Sequence, residues 1–391
     1  MIISVIKKSP VVIHQLFFLF AQLFILQMNG IGYSGTLAYV GIVSTFLAVM
    51  INLRWDIEIM VNNQLALHES LFDSSVTIIL MTIIVLSLNI IVGSPLSIYI
   101  ILSAIIISVH ELLVSILFVQ KKIYRYSLFR TIPAIALILF ASFGLEADLI
   151  WPASFFISVL FLSIYFVSLF KKAITAVSIK RLKKIKFQHK FYAAITATTF
   201  SFFSALFVII INYYYGTDYV GLWSNTIRIF NSLLIFLLGA SLPFVLNIIR
   251  DKKTDSEKAK IFFYCWLSFC PLLILSFFLA SNLGEYILSF FMTYDFEVSN
   301  VYLSYIVLIA IAISFVGSAQ ALYQGINKSI LLLGMIFISA STGLIYFFND
   351  SHSHSFNSLI EVFLISMSFL AVMVIVHLLF ILIFKTNDSL K

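Results

Sequence analysis

The chain has 391 residues, of which 62% are hydrophobic and only 10% are charged, and 41 of them are phenylalanine. In soluble proteins about a quarter of all residues are charged. The low charged fraction of this chain and its mean hydropathy of +1.09 together exclude a soluble fold. A transmembrane β-barrel is excluded too, because the alternation of apolar and polar positions that such barrels need is missing. The net charge of +7 has to be explained within a membrane protein.

Uncharged runs of about 18 or more residues, the length that crosses the hydrocarbon core, recur along the whole chain. They predict an all-α polytopic membrane protein. The twelve predicted transmembrane spans lie at 10–28, 35–53, 76–93, 97–118, 124–142, 149–170, 191–212, 221–247, 261–282, 298–318, 329–348 and 358–384.

The connections between these spans divide sharply by charge. All 24 Lys and Arg residues lie inside spans or in connections on one side of the membrane. The connections of the other side contain neither residue type, and they are 29–34, 94–96, 143–148, 213–220, 283–297 and 349–357. Because basic loops stay in the cytoplasm, both termini are predicted to be cytoplasmic.

The longest basic connection, 171–190, lies halfway along the chain. Two halves of six spans around a central cavity are a common plan of transporters. We therefore predict an N-terminal lobe at 1–170, a basic cytoplasmic linker at 171–190 and a C-terminal lobe at 191–391. The linker is expected to contact anionic lipid headgroups rather than nucleic acid, since no soluble module accompanies it.

The first two spans carry polar residues at helical spacing. Gln15 and Gln22 lie two turns apart in span one, and one face of span two combines Gly41, Thr45, Ala48 and Asn52. Such stripes are typical of helices that line a hydrated cleft, although small and amide residues also serve helix packing. His14, near the inner end of span one, is a candidate for carrying a coupling proton.

A charged cluster, Arg54, Asp56 and Glu58, stands where span two reaches the cytoplasm. Arg54 and Glu58 are one helical turn apart and can form a surface pair. We interpret the cluster as structural or gating charges at the membrane interface, without catalysis.

Glu111 and Arg130 lie in spans four and five. The turn between these spans centres near residue 120, so an antiparallel hairpin would bring the two charges to the same depth. They are predicted to form a buried ion pair with a structural role.

Span eight contains Arg228, roughly 10 Å from the outer end at 1.5 Å per residue. Its polar neighbours at helical spacing are Ser224, Asn225, Asn231 and Ser232. A charge at this depth is costly and is by default a functional candidate. We predict that this stripe binds substrate, and that Arg228 is its central residue.

Two features near the C-terminus complete the candidates. Glu361, near the outer end of span twelve, is a second candidate for a coupling proton. The "HSH" at 352–354 has metal-binding residue types but no third partner, so neither a metal nor a cofactor is expected.

Two stretches carry a family resemblance. "GTLAYVGIVSTFLAVMINLRWDIEIMV" resembles the second span of Wzx-type O-antigen flippases, polysaccharide exporters of the MOP superfamily. "YVGLWSNTIRIFNSLLIFLLGASLPFVLNIIRD" resembles their eighth span, with Gly221, Arg228 and Pro243 in matching places. The stretch between spans one and two departs from the family pattern, since it is reduced here to "MNGIGYSG".

The resemblance implies a transporter of the bacterial inner membrane, active in O-antigen and lipopolysaccharide biosynthesis. Its substrate would be an undecaprenyl-diphosphate-linked oligosaccharide, moved between leaflets by alternating access. Membrane lipids and other glycan-assembly proteins are the remaining expected partners. Two alternatives stay open: a polytopic membrane enzyme of the O-antigen polymerase type, and a MATE-like drug exporter.

Overall fold

The computed structural model describes residues 11–61, 67–93, 96–168, 171, 187–250, 252, 254–291, 298–349 and 355–384. All regular structure in these ranges is helical, which confirms the predicted all-α class. In chain order the helices are α1 Val11–Asn52, α2 Trp55–Val61, α3 Leu67–Ile91, α4 Ile98–Val119, α5 Ile123–Ser142, α6 Ala147–Tyr165, α7 Phe187–Tyr215, α8 Thr217–Arg250, α9 Asp255–Leu267, α10 Cys270–Phe291, α11 Asn300–Gly325, α12 Ser329–Asn349 and α13 Phe356–Phe384.

Nine helical stretches of the described residues are long and apolar enough to cross a membrane, so the protein is a multi-pass membrane protein. The number is below twelve partly because Leu16–Asn52, with 37 residues, holds the first two predicted spans. The apolar part of α12, Ser329–Gly343, is shorter than the others. Predicted span eight lies within α8, Thr217–Arg250.

The predicted loop at 29–34 is a kink inside a helix instead. Gly30 has φ 81° and ψ 178°, and regular helix continues on both sides of it. A positive φ costs glycine little because it has no Cβ. The two predicted spans are therefore joined by a kink at one residue, without a separate loop.

The helix that holds predicted span two ends at Asn52, close to the predicted end at residue 53, but the following connection at 54–75 is not a loop throughout. Leu53 and Arg54 have positive φ values of 46° and 59°, which ends α1 at Asn52. Helix α2 then begins at Trp55 with Asp56 and Glu58 in its first turn, where acidic side chains are stabilised by the helix dipole. Helix α3 already starts at Leu67.

Two other predicted loops are also shortened by helix. Thr254 caps α9, since its hydroxyl oxygen accepts the backbone N–H of Glu257 at 3.3 Å, so the connection at 250–260 ends early. On the other side α10 continues to Phe291, into the predicted loop 283–297. Residues 292–297 lie outside the described part of the chain.

The chain forms two compact units. Unit 1 consists of Met1–Ile25 and Thr36–Ala205, and unit 2 of Leu26–Gly35 and Leu206–Lys391. The division differs from the predicted lobes within two helices, because part of α1 packs in unit 2 and the first part of α7 packs in unit 1. Most of the predicted linker, 172–186, lies outside the described residues.

Each unit is built around a central helix. In unit 1, α4 packs against α2, α3, α5 and α6, and in unit 2, α11 packs against α8, α10, α12 and α13. Small buried residues allow these close approaches between helices; on α11 they include Ala310, Ser318, Ala319 and Ala321. The central position of α4 and α11 determines which polar side chains are buried.

Candidate functional site

A tight helix crossing in unit 2 places the start of α8 against α1. A Cβ at Gly35 would overlap the carbonyl oxygen of Thr217, and a Cβ at Gly221 would lie 2.5 Å from the carbonyl oxygen of Ile31. Only glycine leaves room for backbones this close. The crossing brings Ser34 of α1 to the polar stripe of α8.

Arg228 and its neighbours form a polar group at this crossing. Asn225 is fully buried, and its side-chain oxygen accepts a hydrogen bond from the Ser34 hydroxyl at 3.2 Å. The same oxygen accepts the guanidinium of Arg228 at 3.4 Å. The structure therefore brings together Arg228 and Asn225, as the sequence predicts, and adds Ser34, which lies 191 positions away in sequence.

Two of the other three predicted residues of the stripe donate hydrogen bonds to backbone carbonyls. Asn231 donates its amide to the carbonyl of Val307 on α11 at 3.3 Å. Ser224 donates to the carbonyl of Gly221 at 3.2 Å. The side chain of Ser232 lies outside the described part.

The polar group has unused hydrogen-bonding capacity. Buried side-chain atoms without a hydrogen-bond partner include the amide nitrogen of Asn225, the hydroxyl of Thr226 and the amide oxygen of Asn231. Arg228 itself has five N–H donors, and across the described residues it forms no ion pair. A half-buried guanidinium with a single weak partner is suited to bind an anion from outside the protein.

The remaining predicted substrate-binding residues belong to unit 1. Asn52 is buried at the end of α1 and donates to a carboxylate oxygen of Asp56 at 3.3 Å. Gln22 is half-buried on α1, and the side chain of Gln15 lies outside the described part. Their contact with substrate stays a prediction.

The Arg54 cluster is a local charge group at the start of α2. The structure shows an ion pair from Nε of Arg54 to Oδ1 of Asp56 at 3.9 Å. A backbone hydrogen bond also runs from the N–H of Glu58 to the carbonyl of Arg54 at 3.0 Å. The side chains of Arg54 and Asp56 are only 18% and 16% exposed, and their structural or gating role stays a prediction.

The ion pair between Glu111 and Arg130 is present, as predicted from their positions on either side of the turn near residue 120. Arg130 donates to Oε2 of Glu111, and its guanidinium stands over the ring of Tyr126 with 5.2 Å to the centroid. His14 meets the same tyrosine edge-on at 6.3 Å between ring centroids. His110 adds a second histidine, whose Nδ1 lies 3.5 Å from Oε1 of Glu111.

Glu361, the other candidate for a coupling proton, belongs to unit 2. It accepts a hydrogen bond from the hydroxyl of Tyr302 at 3.1 Å, which joins α13 to α11. In the described ranges no three His, Cys, Asp or Glu residues are grouped as a metal would require. The "HSH" at 352–354 falls outside those ranges.

No family model matches the chain, and no curated protein matches it. Solved structures do match. The MATE multidrug transporter DinF-BH has a TM-score of 0.67 at 17% identity, covering 96% of this chain and 95% of its own. The eukaryotic MATE transporter AtDTX14 has a TM-score of 0.62 at 14% identity, with coverages of 96% and 95%.

A third structure, an inward-facing MATE family transporter of the MOP superfamily, has a TM-score of 0.60 at 14% identity, with coverages of 94% and 93%. Identities this low establish the fold alone. The chain therefore has the fold of MATE transporters, along nearly its whole length.

Proposed function

We propose that the protein is a flippase of the Wzx type, which moves an undecaprenyl-diphosphate-linked oligosaccharide across the bacterial inner membrane. The transporter fold supports an exporter rather than a polymerase-type enzyme. The observation that supports this choice of substrate is that Arg228, a cation in predicted span eight, has no carboxylate partner in the described residues.

The chemistry of such a substrate fits the Arg228 group. A diphosphate offers oxygens that a guanidinium holds in two places at once. The buried amides of Asn225 and Asn231, each with an unused atom, are of the type that pairs with sugar hydroxyls. A hydrocarbon interior supplies neither partner, so this group would lower the cost of moving the polar head of the lipid.

A drug exporter is the alternative that the fold also accommodates, since DinF-BH is a multidrug transporter. An exporter of cations would require an unpaired carboxylate near its substrate. Glu111 is paired with Arg130. Glu361 keeps its charge, since its partner Tyr302 is neutral, but among the described residues it forms no ion pair with Arg228. The charge of the Arg228 group therefore favours an anionic substrate.

The same proposal places both termini and the 171–190 linker in the cytoplasm. Single cysteines at Ser178 and Ser353, both outside the described residues, test this with an impermeant thiol reagent on intact spheroplasts. We expect labelling at 353 and protection at 178. The reverse pattern would overturn the orientation.

The function is tested by surface glycan in a strain that lacks its own flippase. Arg228→Ala and Arg228→Glu should abolish the glycan while the amount of membrane-inserted protein stays normal. Arg228→Lys keeps the charge but loses the planar fork, so we expect partial glycan.

Arg125→Ala is the matched control for loss of an arginine, because Arg125 stacks on Tyr165 at an exposed helix end. It should leave the glycan unchanged. Normal glycan from Arg228→Ala at normal abundance would overturn the substrate role.

A further inference from the structure

Pro133 in α5 leaves one backbone carbonyl without its usual helical hydrogen bond. In a regular helix the N–H at position 133 would bond to the carbonyl of Phe129 four residues earlier. Residue 133 is a proline inside the helix, and proline has no N–H to donate. The carbonyl of Phe129 is thus free to accept side-chain donors.

Two side chains from neighbouring helices use this carbonyl. Ser158 of α6 donates its hydroxyl to the Phe129 oxygen at 2.7 Å. Nε2 of His110, on α4, lies 3.3 Å from the same oxygen. Because a carbonyl can only accept, the hydrogen bond requires a hydrogen on Nε2. Pro133 therefore fixes which nitrogen of His110 carries the hydrogen in the neutral ring.

The opposite nitrogen of this ring then faces a carboxylate. With its hydrogen on Nε2, neutral His110 presents a bare Nδ1, which lies 3.5 Å from Oε1 of Glu111 and has no hydrogen-bond partner. Two atoms that both carry lone pairs face each other there. A proton added between them would convert a repulsion into an attraction.

We propose that the space between Nδ1 of His110 and Oε1 of Glu111 is a binding site for one exchangeable proton. The proton comes from water or a buffer acid and binds to Nδ1, which makes His110 an imidazolium with hydrogens on both nitrogens. The group of His110, Glu111 and Arg130 changes from net neutral to a charge of one positive unit. His110 is 1% exposed, whereas the Glu111 side chain is 28% exposed, so the carboxylate connects the buried ring to the surface of the unit.

Proton binding has a direct consequence for the neighbouring ion pair. The Glu111 carboxylate then pairs with two cations, protonated His110 and Arg130, instead of with Arg130 alone. This sharing weakens the ion pair between Glu111 and Arg130. The Nε of Arg130 has no hydrogen-bond partner at present, so Arg130 is free to bond elsewhere when its carboxylate is shared. The site is therefore a proton-dependent switch of the Glu111–Arg130 pair.

Other titratable groups surround this site. His14 of α1, Asp56 of α2 and Tyr126 of α5 act electrostatically on Glu111 or Arg130, while α6 presents the ring of Phe155 edge-on to His110 at 5.2 Å. The remaining titratable side chains on α2, α3, the start of α5 and α6 that the structure describes are Glu58, Asp73, Tyr124, Arg125, Asp148 and Tyr165.

The test is a pH titration of the full-length protein labelled with ¹⁵N-histidine, by NMR in nanodiscs from about pH 9 to pH 5. Loss of one signal pair in His110→Gln assigns the residue among the seven histidines. We expect a single neutral form with the hydrogen on Nε2 at high pH, and conversion to the doubly protonated ring on acidification. In Glu111→Gln, which keeps an oxygen for Arg130, the protonated fraction at a given pH should fall several-fold.

The role of the proline has a matched control within the same unit. Pro133→Ala returns an N–H to the Phe129 carbonyl, so the neutral ring of His110 should become a mixture of both tautomers. Pro152→Ala, in α6, should leave the His110 signals unchanged. A neutral ring across the whole pH range would overturn the proposal, as would an unchanged protonated fraction in Glu111→Gln. If the His110 signals stay unchanged in Pro133→Ala, as expected for Pro152→Ala, then Pro133 does not determine which nitrogen of His110 carries the hydrogen.

Discussion

Two arginines in predicted transmembrane spans, Arg130 in unit 1 and Arg228 in unit 2, have opposite surroundings. Arg130 donates to a carboxylate of Glu111 and stands over the ring of Tyr126. Arg228 has one hydrogen bond of 3.4 Å, to the neutral amide of Asn225. The first charge is balanced within the protein, and the second is not balanced by any described residue.

These surroundings fit the two proposed roles, a structural charge at Arg130 and a substrate-binding charge at Arg228. A charge inside the membrane needs a partner or water. Where the protein supplies the partner, the charge contributes to the fold, and losing either member strands the other. Where it supplies only amides, the charge is available to an anion from outside. The following predictions test whether the two arginines really differ in this way.

The largest effect is expected on stability at the balanced site. Arg130→Ala and Glu111→Ala should each destabilise the protein by about 3 kcal/mol, the lower end for a broken buried pair, because both side chains are partly exposed. Arg228→Ala should cost less than about 1 kcal/mol, since it removes one weak hydrogen bond. Unfolding of the purified variants in mixed micelles measures the difference.

The exchange Glu111→Arg with Arg130→Glu provides the control for this first comparison. It should recover part of the stability lost in the single variants, because it restores opposite charges. Equal destabilisation by Arg130→Ala and Arg228→Ala would remove the distinction between the two arginines.

The next effect concerns the helix crossing that assembles the Arg228 group. Gly35→Ala would force a Cβ into the carbonyl of Thr217, and such overpacking costs about 1–3 kcal/mol. Gly334→Ala in α12 is the control, since a Cβ there meets nothing within 4 Å and alanine favours the helix by about 1 kcal/mol. The free energy of unfolding of the two variants should change in opposite directions.

A smaller effect is expected when Arg228 is given a carboxylate partner, as Arg130 has in Glu111. Asn225→Asp places a carboxylate beside Arg228 and satisfies its charge internally. Affinity for an anionic polyprenyl diphosphate should then fall about tenfold, or 1.4 kcal/mol, while the amount of folded protein stays the same. Asn231→Asp, whose native amide bonds to the carbonyl of Val307 instead, is the comparison variant. Equal losses from both would mean that the pairing with Arg228 is not the cause.

Much of this architecture could be predicted from the sequence, because its signals are local. The apolar runs predict the helices, and the hairpin spacing places Glu111 opposite Arg130. Helical spacing places Arg228 beside Asn225 on one face of α8. Each of these depends on a period or a length that a single segment contains.

Other features depend on contacts between distant segments and could not be predicted. Ser34 reaches Asn225 only because glycines 35 and 221 let two backbones approach. The kink at Gly30 resembles a short loop in any hydropathy window. The acceptors and donors around Phe129 depend on which helices pack against α5, and Pro133 alone signals only that a carbonyl is left open. The charged residues and the Glu111–Arg130 pair could thus be predicted from the sequence, whereas Ser34 beside Asn225 and His110 beside Glu111 could not.

The most direct test of the central claim is binding of undecaprenyl diphosphate and of undecaprenol to the purified protein, since the two lipids differ only in the diphosphate. The wild-type protein should prefer the diphosphate, Arg228→Lys should retain part of the preference, and Arg228→Ala should lose it while binding undecaprenol as before. Arg130→Glu combined with Glu111→Arg should keep the preference of the wild type. An unchanged preference in folded Arg228→Ala would contradict the assignment of Arg228 as the residue that holds the anion.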